Sequence, residues 1–245
     1  MIFESLNPQS FFYICALYFK TRLLTGIRMK NIKFISAQEA VKVIKSNDRV
    51  HLHSVAVTPH PLIEAMCERG RNKEFRNVRI QHIHTEGQAP YAGPEFEGIF
   101  FFFFFFFVVY VMKQTQSGYA DYIPVFLHET QRLIRENYLQ VNVTMIQVSE
   151  PDKFGYVSLG TSVDATLAAV EKADTVIAIV NPNVPRAFGD AMIHINEIDL
   201  FVQDDSPLIT AEPGPIGETD RKIGRYVAEL VEDGATLQMG IGAIP

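Results

Sequence analysis

The sequence predicts an α/β protein built on an open, doubly wound parallel sheet. Helix and strand signals alternate along the chain, and its 47% hydrophobic and 20% charged content is ordinary for a globular protein with a substantial core. Residues 175–180 (TVIAIV) form an apolar, β-branched run that is typical of a strand covered on both faces. Strand, helix and strand in this order imply right-handed parallel crossovers.

Two helix starts carry clear local signals. Ser36 and Glu39 form a capping box, in which each side chain can bond the other residue's free main-chain N–H group. Thr58 is the predicted N-cap of the next helix, with Pro59 as its first residue, because proline has no N–H group to leave unsatisfied. This second helix is expected to end near residue 69.

The spacing of apolar residues along the chain predicts the remaining elements. They are strands at 49–55, 77–84, 141–148 and 175–180, helices at 125–137, 162–173 and 216–233, and a short strand at 235–239. The last strand leads into a glycine-rich turn that should open another helix. A second domain of similar type is therefore expected to begin here.

These signals divide the chain into four parts. A segment rich in proline, glycine and acidic residues separates the two α/β regions and is typical of a linker. The predicted parts are a non-native extension at 1–28, an amino-terminal domain at 29–203, the linker at 204–216 and the truncated start of a second domain at 217–245.

The first 28 residues differ from the rest of the chain. Their apolar run at 11–19 is shorter than the about 20 residues that span a bilayer. The basic residues follow this run, whereas a secretory signal carries them before it. Met29 begins a segment that is typical of the amino terminus of a protein, so we expect residues 1–28 to lie outside the working fold. Because their apolar run is short, we also expect that they do not anchor the chain in a membrane.

A second anomaly, at residues 99–112, contains eight consecutive phenylalanines. A homopolymer has no period of 2 or 3.6, so the run specifies no buried face. It is also too short to span a bilayer, and uncharged aromatic runs promote aggregation. Three interpretations remain open: a local sequence error, a substituted core strand, and a tongue that inserts into a membrane or binds a partner.

Charge and cysteine content limit the function classes. The chain carries 22 basic and 28 acidic residues, a net charge of −6, and without residues 1–28 the counts are 19 and 27, or −8. A broad nucleic-acid-binding face is therefore not expected. Cys15 and Cys67 cannot build a disulfide scaffold or a zinc site by themselves, so a reducing cytoplasm is the predicted compartment.

The most informative local feature is the terminal loop Gly240, Ile241, Gly242, Ala243, Ile244 and Pro245. Its glycines allow a ligand to approach the backbone closely, and N–H groups at a strand-to-helix turn bind anions or a developing oxyanion. A plain tight turn is the alternative. Pro245 departs from the G-x-G-x-x-G pattern and argues against a dinucleotide site.

Five histidines cluster in and beside the predicted strands: His51, His53, His60, His82 and His84. The spacing of His51 and His53 places both imidazoles on one face of a strand, where they could give two contacts to a metal ion. No carboxylate or cysteine completes the ligand set at a suitable spacing. Structural histidines at strand ends are therefore the preferred interpretation.

Two loops follow buried strands, where open α/β sheets form their crevices. Arg186, in the loop at 181–190, could hold a carboxylate or a phosphate, and a rigid turn with two prolines is the equal alternative. Ser158 and Ser162 follow the strand at 141–148. We do not expect them to act as nucleophiles, because no G-x-S-x-G elbow surrounds them.

Six blocks of the sequence resemble the acetyl-CoA hydrolase/transferase family, in particular its branch of short-chain CoA-transferases for 4-hydroxybutyrate and butyrate. The blocks occur in the family's order. They are HSVAVTPHPLIEAM (53–66), HIHTEGQAPY (82–91), ADYIPVFL (120–127), QVSEPDKFGYVSLGTSVDAT (147–166), NPNVPRAFGD (181–190) and DGATLQMGIGAIP (233–245). The resemblance covers residues 30–98 and 114–245.

The resemblance implies an open parallel-sheet, CoA-transferase-like (NagB/RpiA-like) domain followed by a second similar domain, with the active site between them. It implies that CoA moves between an acyl-CoA and a short-chain carboxylate, such as 4-hydroxybutyrate, butyrate or acetate, through a glutamyl-CoA thioester. Acyl-CoA is then a substrate, no metal is implied, and the full-length protein is expected to form a homo-oligomer. By position, residues 240–244 match the family's CoA-contacting loop.

Two departures from the family limit this expectation. The family's catalytic glutamate follows the terminal loop in an H-[ST]-E context, and the sequence stops before it; Glu86, in HTEG, is not that residue. The phenylalanine run replaces a polar segment of the relatives. We therefore expect an inactive fragment of a CoA-transferase, the alternatives being an acetyl-CoA hydrolase and a non-catalytic acyl-CoA-binding or scaffold module.

Overall fold

The structure is a computed structural model, and it describes residues 31–104, 120–210, 214–238, 240 and 244. The chain forms two compact units, Met1–Leu208 and Ile209–Pro245. The predicted extension at 1–28 lies outside the described residues. Within the described ranges, no helix is both long and apolar enough to cross a membrane.

Nine strands are present in the described part of the first unit. They are β1 (Arg49–Leu52), β2 (Val78–His82), β3 (Phe100–Phe104), β4 (Ala120–Tyr122), β5 (Val143–Val148), β6 (Tyr156–Ser158), β7 (Thr175–Val180), β8 (Met192–His194) and β9 (Leu200–Gln203). Seven of them form one sheet in the order β4-β3-β2-β1-β5-β7-β9, and β6 pairs with β8 in an antiparallel ribbon. All pairs in the large sheet are parallel, which confirms the predicted fold class.

The strand order reverses between β1 and β5. From β1 the chain runs outward through β2, β3 and β4, and then returns to the other side of β1 to add β5, β7 and β9. Loops that leave adjacent strands in opposite directions open a crevice at the carboxyl ends of those strands, where ligands of open α/β sheets bind. The fold therefore points to the carboxyl ends of β1 and β5.

Helices cover both faces of the sheet. They are α1 (Ala37–Ala40), α2 (His60–Arg71), α3 (Leu127–Arg135) and α4 (Thr166–Lys172), and the second unit contains α5 (Glu218–Ala228). On one face, α1 and α2 pack on Val50 and Leu52 of β1. On the other face, α3 and α4 share a second buried cluster. Successive residues of β1 therefore point into different helical layers.

The two predicted helix starts have different outcomes. The Ser36 hydroxyl accepts a hydrogen bond from the Glu39 N–H at 3.1 Å, as the capping box predicts. The prediction that Thr58 caps α2 is wrong, because the N-cap position belongs to Pro59. The Thr58 hydroxyl instead donates to the Val55 carbonyl at 2.7 Å, so it closes the preceding loop.

The phenylalanine run forms a core strand over the residues that the structure describes. Phe100–Phe104 is β3, which lies between β2 and β4 in register with both. Phe102 is 2% exposed, whereas Phe101 is 42% exposed. The strand therefore has a buried and a more open face, although the homopolymer itself specifies neither. Residues 105–112 of the run lie outside the described residues.

The second unit contains one amphipathic helix in its described residues. The Asp220 carboxylate accepts a hydrogen bond from the Gly217 N–H at 3.0 Å where α5 begins. None of the residues of α5 is buried. The predicted strand at 235–239 is wrong over 235–238, which are irregular. A strand needs a hydrogen-bonded neighbour, and the described residues of this unit offer no second extended segment.

Candidate functional site

The loops that leave β1 and β2 are tied into one wall of the carboxyl-end crevice. The Val55 N–H donates to the His84 carbonyl at 2.9 Å, and Val55 forms a parallel bridge with Thr85. The Glu86 N–H lies 3.4 Å from the Thr58 hydroxyl, and the Glu86 carboxylate lies 3.0 Å from Nε2 of His84. The contacts of Val55 and Thr58 with residues 84–86 join the two loops into one continuous surface.

Val55 adopts an unusual backbone conformation in this wall. Its φ is +58°, and a β-branched side chain is strongly disfavoured in this left-handed region. The Thr58 N–H and hydroxyl both donate to the Val55 carbonyl, at 3.1 and 2.7 Å, and hold the turn in place. The turn also explains why β1 ends at Leu52 and not at the predicted residue 55. Backbone strain of this kind is concentrated at binding and catalytic sites.

Two polar atoms beside this turn are buried without a partner among the described residues. They are Oγ of Ser54, which follows β1, and Nε2 of His60, the first residue of α2. Burial lowers the pKa of the His60 imidazole, while the main-chain carbonyl of Glu86 and the carboxylate of Glu64 oppose that effect. Because the single ring proton of a neutral imidazole is directed to the Glu86 carbonyl, the Ser54 hydroxyl is the group left to donate to an oxygen of a carboxylate or a carbonyl.

His53 supports the floor of the crevice between β1 and β5. Its Nδ1 accepts a hydrogen bond from the Gln147 N–H at 3.2 Å. The ring proton therefore lies on Nε2, which donates to the Ser162 carbonyl at 2.6 Å. Both ring nitrogens serve the packing of β5 and the loop before α4. This is the structural role that the sequence favours for this histidine.

Two other histidines of the cluster, His51 and His82, also lie within packed structure. His51 bonds Thr166 on α4, and the His82 ring lies 3.0 Å from the Tyr91 hydroxyl. Across the described ranges, no three His, Cys, Asp or Glu side chains are grouped in a way that could hold a metal ion.

The loops after β5 and β7 are held together by Ser158 and Arg186. The Ser158 hydroxyl donates to the Ala187 carbonyl at 2.9 Å and accepts from the Ala187 and Gly160 N–H groups at 3.0 and 3.1 Å. The Arg186 guanidinium pairs with Asp152 at 2.7 Å and donates to the Tyr156 carbonyl at 3.1 Å. The structure thus gives Arg186 a loop-bracing role, which fits the rigid turn, one of the two alternatives that the sequence leaves open.

Ser162 has a structural role as well. Its hydroxyl donates to the Asp164 carboxylate at 2.6 Å. The other oxygen of Asp164 accepts the Thr166 N–H at 3.0 Å, so α4 begins at Thr166 and not at the predicted residue 162. As expected from the sequence, neither Ser158 nor Ser162 has a nucleophile's surroundings.

The terminal loop belongs to the second unit and is described only at its ends. Gly240 and Ile244 are irregular and exposed. Ile241, Gly242, Ala243 and Pro245 lie outside the described residues. The contact of residues 240–244 with CoA therefore stays a prediction.

Ser54, Val55 and Glu86 are candidate site residues that the pattern of the sequence did not identify. The sequence pattern points to the loops after β5 and β7 as crevice walls, and not to the loop after β1. The signal was available, because the first strand of a doubly wound sheet lies beside the point where the strand order reverses. The pairing of Val55 with His84 and Thr85 needed the register of β1 on β2.

Comparisons with known proteins agree with the resemblance seen in the sequence. The model of the acetyl-CoA hydrolase/transferase N-terminal domain matches residues 29–211. A 4-hydroxybutyrate coenzyme A transferase of Clostridium kluyveri is 39% identical over 213 residues, 87% of this chain and 49% of the relative. A succinyl-CoA:acetate/propanoyl-CoA:succinate CoA transferase of Fasciola hepatica is 40% identical over 211 residues, 86% of this chain and 44% of the relative.

A solved structure gives the same result. The crystal structure of a 4-hydroxybutyrate CoA-transferase from Porphyromonas gingivalis matches with a TM-score of 0.72 and 32% identity, over 87% of this chain and 49% of that one. The chain spans about half the length of the curated relatives it matches, 49% and 44% for the two above. The matched residues carry the large sheet and the loops that leave β1, β5 and β7. The chain therefore belongs to the acetyl-CoA hydrolase/transferase family.

Proposed function

We propose that this chain supplies the amino-terminal half of a CoA-transferase that moves CoA between an acyl-CoA and a short-chain carboxylate. The similarity to CoA transferases at 39% and 40% identity is the observation that carries this proposal. Acetate, butyrate and 4-hydroxybutyrate are the candidate acids, and acyl-CoA is the second substrate. We place the enzyme in the cytoplasm and expect it to form a homo-oligomer.

The proposed reaction needs a nucleophilic carboxylate. A glutamate oxygen attacks the thioester carbonyl and expels CoA thiolate, which leaves a mixed anhydride. The thiolate then attacks the glutamyl carbonyl of the anhydride, so the first acid leaves as a carboxylate and a glutamyl-CoA thioester remains. The same steps in reverse load the second acid. The glutamate is assigned by family resemblance to a position after residue 245.

One crevice residue of this chain is suited to hold the acid during these steps. The Oγ atom of Ser54 is buried and has no hydrogen-bond partner among the described residues. Leaving such a group unpaired is costly, so a ligand oxygen that accepts its proton is favoured. A hydroxyl brings no fixed charge that would trap the product carboxylate. We assign Ser54 to binding and orientation of the acid.

A chimera tests this proposal. Residues 29–245 would replace the corresponding half of the Clostridium kluyveri relative, and the purified enzyme would receive butyryl-CoA and acetate. We expect acetyl-CoA to form in step with the loss of butyryl-CoA. Release of free CoA without acetyl-CoA would identify a hydrolase instead. The polypeptide of residues 1–245 alone should show no turnover, and catalysis by it at a full-length rate would contradict the assigned nucleophile.

The crevice is tested in the same chimera with two serine variants. Ser54→Ala should lower kcat/KM for the acid by roughly tenfold, the usual effect of losing one hydrogen bond to a charged ligand. Ser206→Ala is the matched control, because Ser206 is exposed and lies outside the crevice. Equal activity of both variants would show that the acid binds elsewhere.

A further inference from the structure

Two arginines lie side by side near the amino-terminal ends of two adjacent central strands, β1 and β2. Arg49 is the first residue of β1, and Arg79 of β2 is its direct partner in the parallel register. Paired residues on adjacent strands point to the same face of the sheet. Like charges in this arrangement repel each other. The pair is therefore unfavourable unless something between the two guanidinium groups compensates.

The described part of the protein supplies little compensation. The Arg49 guanidinium donates to the side-chain oxygen of Gln140, which is neutral. The Arg79 guanidinium makes no hydrogen bond or ion pair with any described residue, and no carboxylate pairs with either arginine there. Both side chains are half-buried, so bulk water screens their repulsion only in part.

A small cavity lies against this pair. Its volume is about 90 Å³, and both arginines line it together with Gln81 and Tyr138. The rest of its wall is apolar and consists of Phe103, Ile123 and Leu139. A cavity of this size holds several water molecules or one small organic ion. Two cationic side chains and an apolar wall together fit an amphiphilic ligand.

We propose that this cavity binds a short-chain carboxylate. A guanidinium group presents two parallel N–H donors that match the two oxygens of a carboxylate, and a bound anion would relieve the repulsion between the arginines. The apolar wall suits an alkyl chain of a few carbons, whereas an inorganic oxyanion has no group to place there. The site is separate from the crevice, because Arg49 opens β1 and the crevice begins after Leu52 at the other end of that strand. This inference does not depend on the proposed transferase activity.

Titration of the full chain with sodium butyrate tests the site, with sodium chloride held at equal ionic strength. Amide resonances in a ¹⁵N spectrum localise the binding. We expect saturable shifts of the Gln81 and Leu139 amides, and an Arg79→Gln variant should weaken this titration at least tenfold. Arg76→Gln is the matched control, because Arg76 is exposed and lies outside the cavity. Butyrate should also raise the melting temperature of the parent more than that of Arg79→Gln.

The outcomes separate this site from the crevice. Shifts confined to Ser54 and Glu86 would place butyrate in the crevice alone and overturn the inference. An Arg79→Gln titration within twofold of the parent would do the same. Inorganic phosphate that saturates the site at lower concentration than butyrate would overturn the carboxylate assignment, and n-butylamine should not bind. Failure of the chimera to transfer CoA would leave all these results unaffected.

Discussion

Nε2 of His51 and the hydroxyl of Thr166 lie 3.1 Å apart, and this contact joins the central strand β1 to α4. The single hydroxyl proton of Thr166 goes to Asp164 at 3.0 Å. His51 must therefore donate from Nε2, and its Nδ1, which has no partner among the described residues, carries no proton. Burial lowers the pKa of His51 to about 4, although the Asp164 carboxylate opposes this effect. The core of the fold thus requires a neutral imidazole.

Stability should fall as the pH falls from about 6.5 to about 4. In the unfolded chain a histidine titrates near 6.5, so below that pH the unfolded state binds protons that the folded state excludes. Burial also lowers the pKa of His53, and it lowers that of His82 to about 3. A histidine that stays neutral in the folded state contributes a slope of up to about 1.4 kcal/mol per pH unit in this window. Urea unfolding at several pH values measures the slope.

A pair of variants identifies the residue responsible for part of this slope. His51→Gln should reduce the slope by about 1.4 kcal/mol per pH unit, whatever its effect on stability at pH 7. His128→Gln should leave it unchanged, because His128 is exposed. Identical slopes for the parent and His51→Gln would mean that His51 is already charged in the folded state.

The phenylalanine run should show alternating sensitivity to substitution. Phe102 is buried and meets the Tyr91 ring edge-on at 5.9 Å, so Phe102→Ala should cost about 3–5 kcal/mol of unfolding free energy. Phe101 is 42% exposed, and Phe101→Ala should cost about 1 kcal/mol. Chemical denaturation of the two variants provides the comparison. Equal losses would contradict the register of β3 on β2.

This run shows what the sequence could and could not predict. Residues 175–180 form β7 with the predicted bounds, because an apolar β-branched run is typical of a strand that is buried on both faces. The faces of β3 could not be predicted, since eight identical residues carry no period and only pairing with β2 selects them. Thr58 is a good N-cap residue by type, but its hydroxyl donates to the Val55 carbonyl in the turn before the helix. The crevice depends on such pairings between distant residues, so its polar atoms could not be predicted from local pattern.

Two glycines with nearly the same backbone angle should respond differently to alanine. Gly160 has φ +70°, and an added Cβ would lie 2.6 Å from Cγ1 of the buried Val184. Gly189 has φ +71°, and an added Cβ would meet nothing within 4 Å. Both variants carry the left-handed penalty of about 1–2 kcal/mol, and Gly160→Ala adds about 1–3 kcal/mol of overpacking. Thermal or urea unfolding should rank Gly160→Ala as clearly less stable. Equal stability would mean that the loop around Val184 yields freely.

The terminal loop should matter for turnover more than for folding. CoA is a polyanion, and a chain with a net charge of −6 cannot attract it by its overall field, so local donors must hold it. Main-chain N–H groups in a glycine turn supply such donors without a side chain in the way, and the loss of one oxyanion donor typically costs about 100- to 1,000-fold in turnover. In the chimera, Gly242→Val should therefore reduce kcat by a factor of this order while the melting temperature changes little. Gly214→Val is the control, because Gly214 has open space around it and precedes α5. If Gly242→Val keeps the turnover and CoA affinity of the control, the loop is a structural turn, and its assignment to CoA binding is wrong.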